Sequence, residues 1–261
     1  MSDLEPILIR SPINLPEKKV GRVSVKHSHL HGATPIVGFR SAILRNKKPV
    51  MVELTEPLRI HQLYDEKHGL WMTDLPEELF QIHEMLNEVR PAGHVLVGGL
   101  GLGIVAKALT LVCPDVKSIT VVERDHDIVQ LCYDGAAGAG HNGYAIVVDD
   151  IFKYLQTSQR TYDCYLLDCW QGTSEAVWWE TVMPLQRLIR QRWGVRPKIH
   201  CWAEDIMRGQ VEPVLRSEMR HWHYKRLPPC LGDREINRFF KRIGLPRWEQ
   251  EFGRLIQVSP R

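Results

Sequence analysis

The sequence predicts an α/β protein, a doubly wound and mostly parallel sheet with a small β-rich domain in front of it. Three observations carry this expectation. From about residue 93 onward, short apolar runs alternate with helical stretches, the grammar of strand–helix–strand units buried on both faces. Up to about His68 the texture is different, with strand-like runs punctuated by Pro and Gly. Between the two apolar stretches 94–97 and 104–112 lies a glycine cluster, Gly98-Gly99-Leu100-Gly101-Leu102-Gly103, where a strand hands over to a helix.

Taken in order, residues 21–26, 35–39 and 49–54 read as short strands of an N-terminal domain spanning 1–70. A helix then runs from Thr73 to about Val89. Thr73 or Asp74 can cap it, Pro76 suits its first turn, and Glu77 and Glu78 favour the positive end of its dipole. Leu79, Ile82, Met85, Leu86 and Val89 recur at helical spacing, and Pro91 and Gly93 end the element. Residues 94–97 form a buried strand and 104–112 its helix. Residues 118–123 form the second strand, and Asp125 caps a helix over 128–132. After a flexible glycine-rich loop at 135–140, strands at 144–149, 162–168 and 198–202 alternate with helices ending near Leu155 and spanning 175–193. A helix over 233–243 and a last strand over 254–258 complete a second domain, 71–261, with a basic C-terminal extension.

Composition bounds the function classes. The 261 residues are 44% hydrophobic and 25% charged, with a net charge of +3, which excludes long disorder and implies no strong electrostatic partner overall. Beyond Asp205 the arginines and lysines from Arg208 to Arg254 outnumber the acids. Such an extension is either a solvated helix face or a seat for nucleic acid or an acidic substrate. The six cysteines form no C-x-x-C pair and sit mostly in apolar surroundings, so a reducing, cytoplasmic compartment is expected. No signal peptide is visible at the N-terminus, and no apolar run reaches the length of a bilayer span.

Gly99, Glu123, Asp149, Asp150 and Asp168 all close a strand, where ligands bind in an open α/β sheet. The loop carries glycine at 99, 101 and 103. The dinucleotide fingerprint G-x-G-x-x-G would need its third glycine at Ile104, so it fails. G-x-G-x-G is instead the form common among methyltransferases that bind S-adenosylmethionine. Glu123 lies about 20 residues on, where an acid accepts hydrogen bonds from ribose hydroxyls; its other reading is a strand-end ion pair with Arg124. Asp149 and Asp150 can receive an adenine amino group, with Ile151 and Phe152 flanking the ring, or can cap the next helix. Asp168 is the candidate base, or the group orienting an acceptor; otherwise it fixes the loop that follows. Trp170, Trp178 and Trp179 either wall a pocket or belong to the core. His27, His29 and His31 alternate, which puts them on one face of a strand; without a neighbouring acid or thiol no metal site is expected there.

From about residue 69 to 202 the chain resembles the spermidine synthase-like branch of class I methyltransferase-fold proteins, a Rossmann-like family. The resemblance rests on Gly69-Leu-Trp-Met-Thr-Asp74, Ile82-His-Glu-Met85, the run from Val95 through Gly103, Val121-Val-Glu-Arg124, Val147-Val-Asp-Asp150 and the run from Tyr162 to Asp168. Spermidine synthases also lack the acid that many methyltransferases carry at the place of Val97, and share the double glycine Gly98-Gly99. The resemblance implies adenosyl contacts at the Gly98–Gly103 loop, Glu123 and Asp150, and a catalytic role for Asp168. It implies acceptor contacts at His83, with Thr73 and Trp170 completing the candidate set. Two carboxylates of aminopropyltransferases are missing: their places hold Gln171 and Gly101. Buried ammonium groups need paired anions, so the expected activity is S-adenosylmethionine-dependent methyl transfer to a small-molecule acceptor. The alternatives are aminopropyl transfer from decarboxylated S-adenosylmethionine, a nucleic-acid methyltransferase, and a non-catalytic nucleoside-binding relative. Related proteins are often dimers through the N-terminal region, so a homodimer is a further expectation.

Overall fold

A computed structural model describes residues 10–37, 48–133, 143–221 and Arg238. The chain divides into two compact units, residues 1–204 and 205–261. The expected helix at 233–243 apart from Arg238, the last strand at 254–258, the glycine loop at 135–140 and Cys230 lie outside the described residues.

The first unit begins with a four-stranded antiparallel sheet in the order β1 (Lys18–Val20), β2 (Val23–Val37), β3 (Val50–Asp65), β4 (Gly69–Thr73). Val20 pairs with Val23, so Gly21 and Arg22 alone make the first turn. Several short strands were the expectation; the sheet is instead dominated by two long ones of 15 and 16 residues. The break expected between the strands at 21–26 and 35–39 is absent: Gly32 and Pro35 both lie inside β2. The register with β3 shifts between Leu30 and Gly32 and again between Pro35 and Val37. Irregularities of this kind let a strand carry a glycine or proline without ending. His27, His29 and His31 do not share one environment. His27 is half-buried with Nε2 2.8 Å from the Leu15 carbonyl, whereas His29 and His31 are exposed.

The second sheet has five parallel strands in the order β7 (Tyr144–Val148), β6 (Val116–Glu123), β5 (Gly93–Gly98), β8 (Cys164–Leu167), β9 (Lys198–Cys201). With the connecting helices this is the doubly wound, Rossmann-like α/β architecture expected, with an antiparallel sheet in front of it. Chain order reverses at β5, so the crevice beside its carboxyl end is the topological switch point. The helices are α1 (Pro76–Val89), α2 (Ile104–Val112), α3 (His126–Cys132), α4 (Ile151–Thr157), α5 (Glu175–Val177) and α6 (Met183–Trp193). A π turn, Trp178–Val182, joins the last two. The sequence reads them as one helix; Pro184, with no N–H to give, is the second residue after the widened turn.

One core packs the apolar faces together. Leu79, Ile82 and Leu86 of α1, Val95 and Val97 of β5, Leu109 of α2 and Val121 of β6 share it with Val23, Val25 and Leu63 of the first sheet. Asp74 does not cap α1, and Leu75 occupies that position without a side-chain bond. The Asp74 carboxylate instead accepts the His61 backbone N–H and pairs with His61 Nδ1, both at 2.6 Å, with both residues buried. A carboxylate enclosed at the β4–α1 junction has to find such partners, and that outweighs a cap. Asp125 caps α3 as expected, accepting the Asp127 N–H at 2.9 Å.

Helix α7 (Glu204–His221), which lies in the second unit from Asp205 onward, carries Pro213 in its interior and an Arg216–Glu212 ion pair. Among the described residues no helix is long and apolar enough to cross a membrane, and no cluster of His, Cys, Asp and Glu could hold a metal ion.

Candidate active site

The parallel register aligns the strand ends. Gly98 stands opposite Val122 and Leu167, and Glu123 opposite Val148. The ladder runs one residue further: Gly99 N–H donates to the Val122 carbonyl (2.9 Å), Asp168 N–H to the Gly98 carbonyl (2.8 Å) and Asp149 N–H to the Glu123 carbonyl (3.1 Å). The glycine loop, Glu123, Asp149 and Asp168 therefore leave the sheet at one edge.

The loop turns with positive φ at Gly99 (94°), Gly101 and Gly103. A Cβ on Gly99 would lie 2.3 Å from the Asp168 carbonyl oxygen, and one on Gly101 would lie 2.5 Å from the Met72 sulfur. These two glycines thus let the loop press against the end of β8 and against β4. Met72 also lies 3.4 Å from the Leu102 N–H. Its place at the loop is invisible in the sequence, where it is one more apolar residue of a strand. Gly98 closes β5 against Leu167 and the buried Ile151.

Glu123 is tied directly to the loop. Its Oε2 accepts the Leu100 N–H at 2.9 Å and its Oε1 the Asp125 N–H at 2.8 Å, with the side chain buried. Two backbone donors explain how a carboxylate is tolerated there, and each oxygen retains acceptor capacity. Asp150 caps α4, its Oδ1 accepting from Phe152 N–H (2.9 Å) and Lys153 N–H (3.1 Å). Asp149 accepts the Asp150 N–H and pairs with Lys153 Nζ at 3.2 Å.

The edge is electronegative. Burial and the charge of Glu78 push the Asp168 carboxyl up to about 7. Burial and the charges of Asp168, Glu123 and Asp150 push the neighbouring Cys169 thiol up to about 12, opposed by Arg124. Glu78, on the first turn of α1, is itself raised by burial and by Glu77. The sequence reading missed it as a site residue: it looked like an ordinary acid at a helix start, and only the packing of α1 brings it to Asp168.

The remaining candidates are more scattered. Thr73 ends β4, buried, with Oγ1 3.5 Å from the Leu75 N–H. His83 accepts from the Asn87 amide at 2.7 Å, one turn further along α1. Among the described residues neither bonds to Asp168. Trp170 and Trp178 are buried, and the Trp170 indole N–H has no partner among the described residues. Trp178 and Trp179 stack edge to face at 4.9 Å.

No family model matches the chain, and no curated protein matches it. Among solved structures it is similar to a putative S-adenosyl-L-methionine-dependent methyltransferase from Methanococcus maripaludis, at 17% identity and a TM-score of 0.33, over 69% of this chain and 75% of that one. It is also similar to TrmN from Thermus thermophilus, at 16% identity and a TM-score of 0.33, over 43% of this chain and 32% of that one. MtNAS in complex with MTA and tNA is similar at 19% identity and a TM-score of 0.34, over 48% of this chain and 42% of that one. The chain thus spans less than half the length of the last two. At these TM-scores the likenesses carry no argument about activity.

Proposed function

We propose that the chain is an S-adenosylmethionine-dependent methyltransferase of the spermidine synthase-like type, acting on a small-molecule acceptor. The observation that carries this reading is the bond from Glu123 Oε2 to the Leu100 N–H, which joins a strand-end carboxylate to a glycine loop at the switch point. The donor set suits an adenosyl sulfonium. Glu123 keeps acceptor capacity for ribose hydroxyls, and Asp150, with one oxygen engaged in capping, keeps the other for an adenine amino group. The carboxylates of Glu123, Asp150 and Asp168 make a field that favours a cation.

When bound, S-adenosylmethionine supplies an electrophilic methyl group on a positively charged sulfur. The chain's residues have to hold the acceptor in line with it, since positioning provides much of the rate in such a displacement. Asp168, held near neutrality, accepts a proton from an acceptor N–H or O–H once it is itself ionised. Thr73, His83 and Trp170 are the proposed acceptor contacts.

Calorimetry with S-adenosylhomocysteine tests the reading. Glu123→Ala should weaken binding by about 10- to 100-fold, the size of one or two lost hydrogen bonds to a charged group. Wild-type protein that is folded and binds no S-adenosyl ligand would sink it.

One observation favours a second reading, aminopropyl transfer. Glu78, whose charge raises the Asp168 carboxyl, adds a second acid to the field at this edge, where the sequence shows two missing and an ammonium group would need paired anions. Preference for decarboxylated S-adenosylmethionine over S-adenosylmethionine in the same titration would select it.

A further inference from the structure

We infer that Arg22, in the turn between β1 and β2, is a positioning residue for the nucleoside site and acts through Asp125 on the carboxylate of Glu123. The inference rests on the reading that Glu123 receives the ribose. It gives the N-terminal sheet a part in ligand binding that its distance along the chain conceals.

The connection is continuous. Arg22 Nε lies 3.1 Å from Asp65 Oδ2 at the end of β3, and its Nη2 pairs with Asp125 Oδ2. Asp125 divides its carboxylate, giving Oδ2 to Arg22 and Oδ1 to the Asp127 N–H as the cap of α3. The backbone N–H of the same Asp125 donates to Glu123 Oε1 at 2.8 Å, and Glu123 Oε2 accepts from the glycine loop at Leu100. Side chain and backbone of one residue thus link a guanidinium on the first sheet to the carboxylate at the switch point.

The turn is also seated by shape. Gly21 has φ +53°, and a Cβ there would lie 2.0 Å from the Asp127 carboxylate, so the first turn of α3 fills the space a side chain would take. The Asp65 carboxylate is 4% exposed and that of Asp125 14%. Backbone N–H groups of Lys67 and His68 satisfy Asp65 Oδ1 and that of Asp127 satisfies Asp125 Oδ1, and Arg22 takes the Oδ2 of both, with Asp125 raising the pKa of the guanidinium most. Arginine suits the place because its planar fork reaches two carboxylates at once, which a lysine's single ammonium does less well. Without Arg22, the Asp125 carboxylate keeps only the Asp127 N–H, and the residue whose backbone N–H orients Glu123 is held by one tie fewer.

A double-mutant cycle separates this role from plain structural support. S-adenosylhomocysteine affinity is measured by calorimetry for wild type, Arg22→Gln, Glu123→Ala and the double variant, with melting curves on each. The expected result is about tenfold weaker binding for Arg22→Gln, as for one lost charge-assisted bond, with the double variant no weaker than Glu123→Ala alone. Arg22→Lys should recover part of the loss; it also serves if the glutamine variant does not fold. Binding by Arg22→Gln equal to wild type overturns the inference while leaving the functional reading intact. So does a loss that simply adds to that of Glu123→Ala. No binding by folded wild type overturns the functional reading and this inference with it.

Discussion

Asp168→Asn is expected to lower turnover by about 10²- to 10⁴-fold, the range for removing a general base, while S-adenosylhomocysteine affinity changes by no more than a few fold. The reason is the placement of Asp168. Its backbone N–H completes the ladder with Gly98, which an asparagine keeps, whereas its carboxyl is held at about 7 by burial and by Glu78. A base must be ionised to accept a proton, so wild-type kcat should climb as pH passes through about 7 and level off above it. Glu78→Gln removes the charge that opposes ionisation, and should move that rise to lower pH. A flat profile from pH 6 to 8, with turnover retained in the asparagine variant, would remove Asp168 from the chemistry.

The same residue predicts a stability effect of opposite sign. The folded-state pKa lies above the ordinary value of 3.8. Between those values the folded protein holds a proton that the unfolded chain has lost, so wild-type stability falls as pH rises from about 4 to about 7 and is constant above that. The asparagine variant has no such titration. It should melt higher than wild type at pH 8, and the gain should shrink towards pH 4. Activity and stability pulling apart at one position is common where a charged group is kept buried for chemistry.

Gly99→Ala should cost about 3–5 kcal/mol in urea unfolding, as overpacking and backbone strain add. A methyl group there would sit 2.3 Å from the Asp168 carbonyl oxygen, and the φ of +94° is one that alanine avoids. Backbone surrounds the position, so nothing can swing aside. Gly103 is the contrast: its φ is +80°, but the nearest atom to an added Cβ is the Tyr144 hydroxyl at 3.5 Å. Alanine at 103 meets strain without a clash and should cost about 1–2 kcal/mol. Equal costs at the two positions would mean that the loop does not press on β8 as described.

Much of this arrangement was legible in the sequence, for local reasons. Apolar runs ending in Gly98, Glu123, Asp149 and Asp168 marked the strand ends to within a residue or two, because a strand buried on both faces must stop where polar residues begin. Helix α2 was legible to its ends, since the glycine loop starts it and its apolar periodicity is unbroken. Glycine and proline misled where tertiary pairing overrode them, as at Gly32 and Pro35 within β2. Asp74 reads as a helix cap, but His61, thirteen residues earlier, claims it. The effect of Glu78 on Asp168 and the pairing of Arg22 with Asp125 were beyond reach for one reason. Each arises only after two separate elements dock, and no pattern along the chain records that.

Cys169 stands among three carboxylates at the edge where an alkylating sulfonium would bind. A cysteine sulfur is readily alkylated, but as the thiolate. With its pKa near 12, almost none of that form exists at neutral pH, and Cys132, next to Glu123, is held in the same way. Under the proposed function, burial, helped by the field that welcomes the cation, disarms these two thiols, so the protein is shielded from consuming its own reagent. Prolonged incubation with S-adenosylmethionine should leave its mass unchanged by intact mass spectrometry.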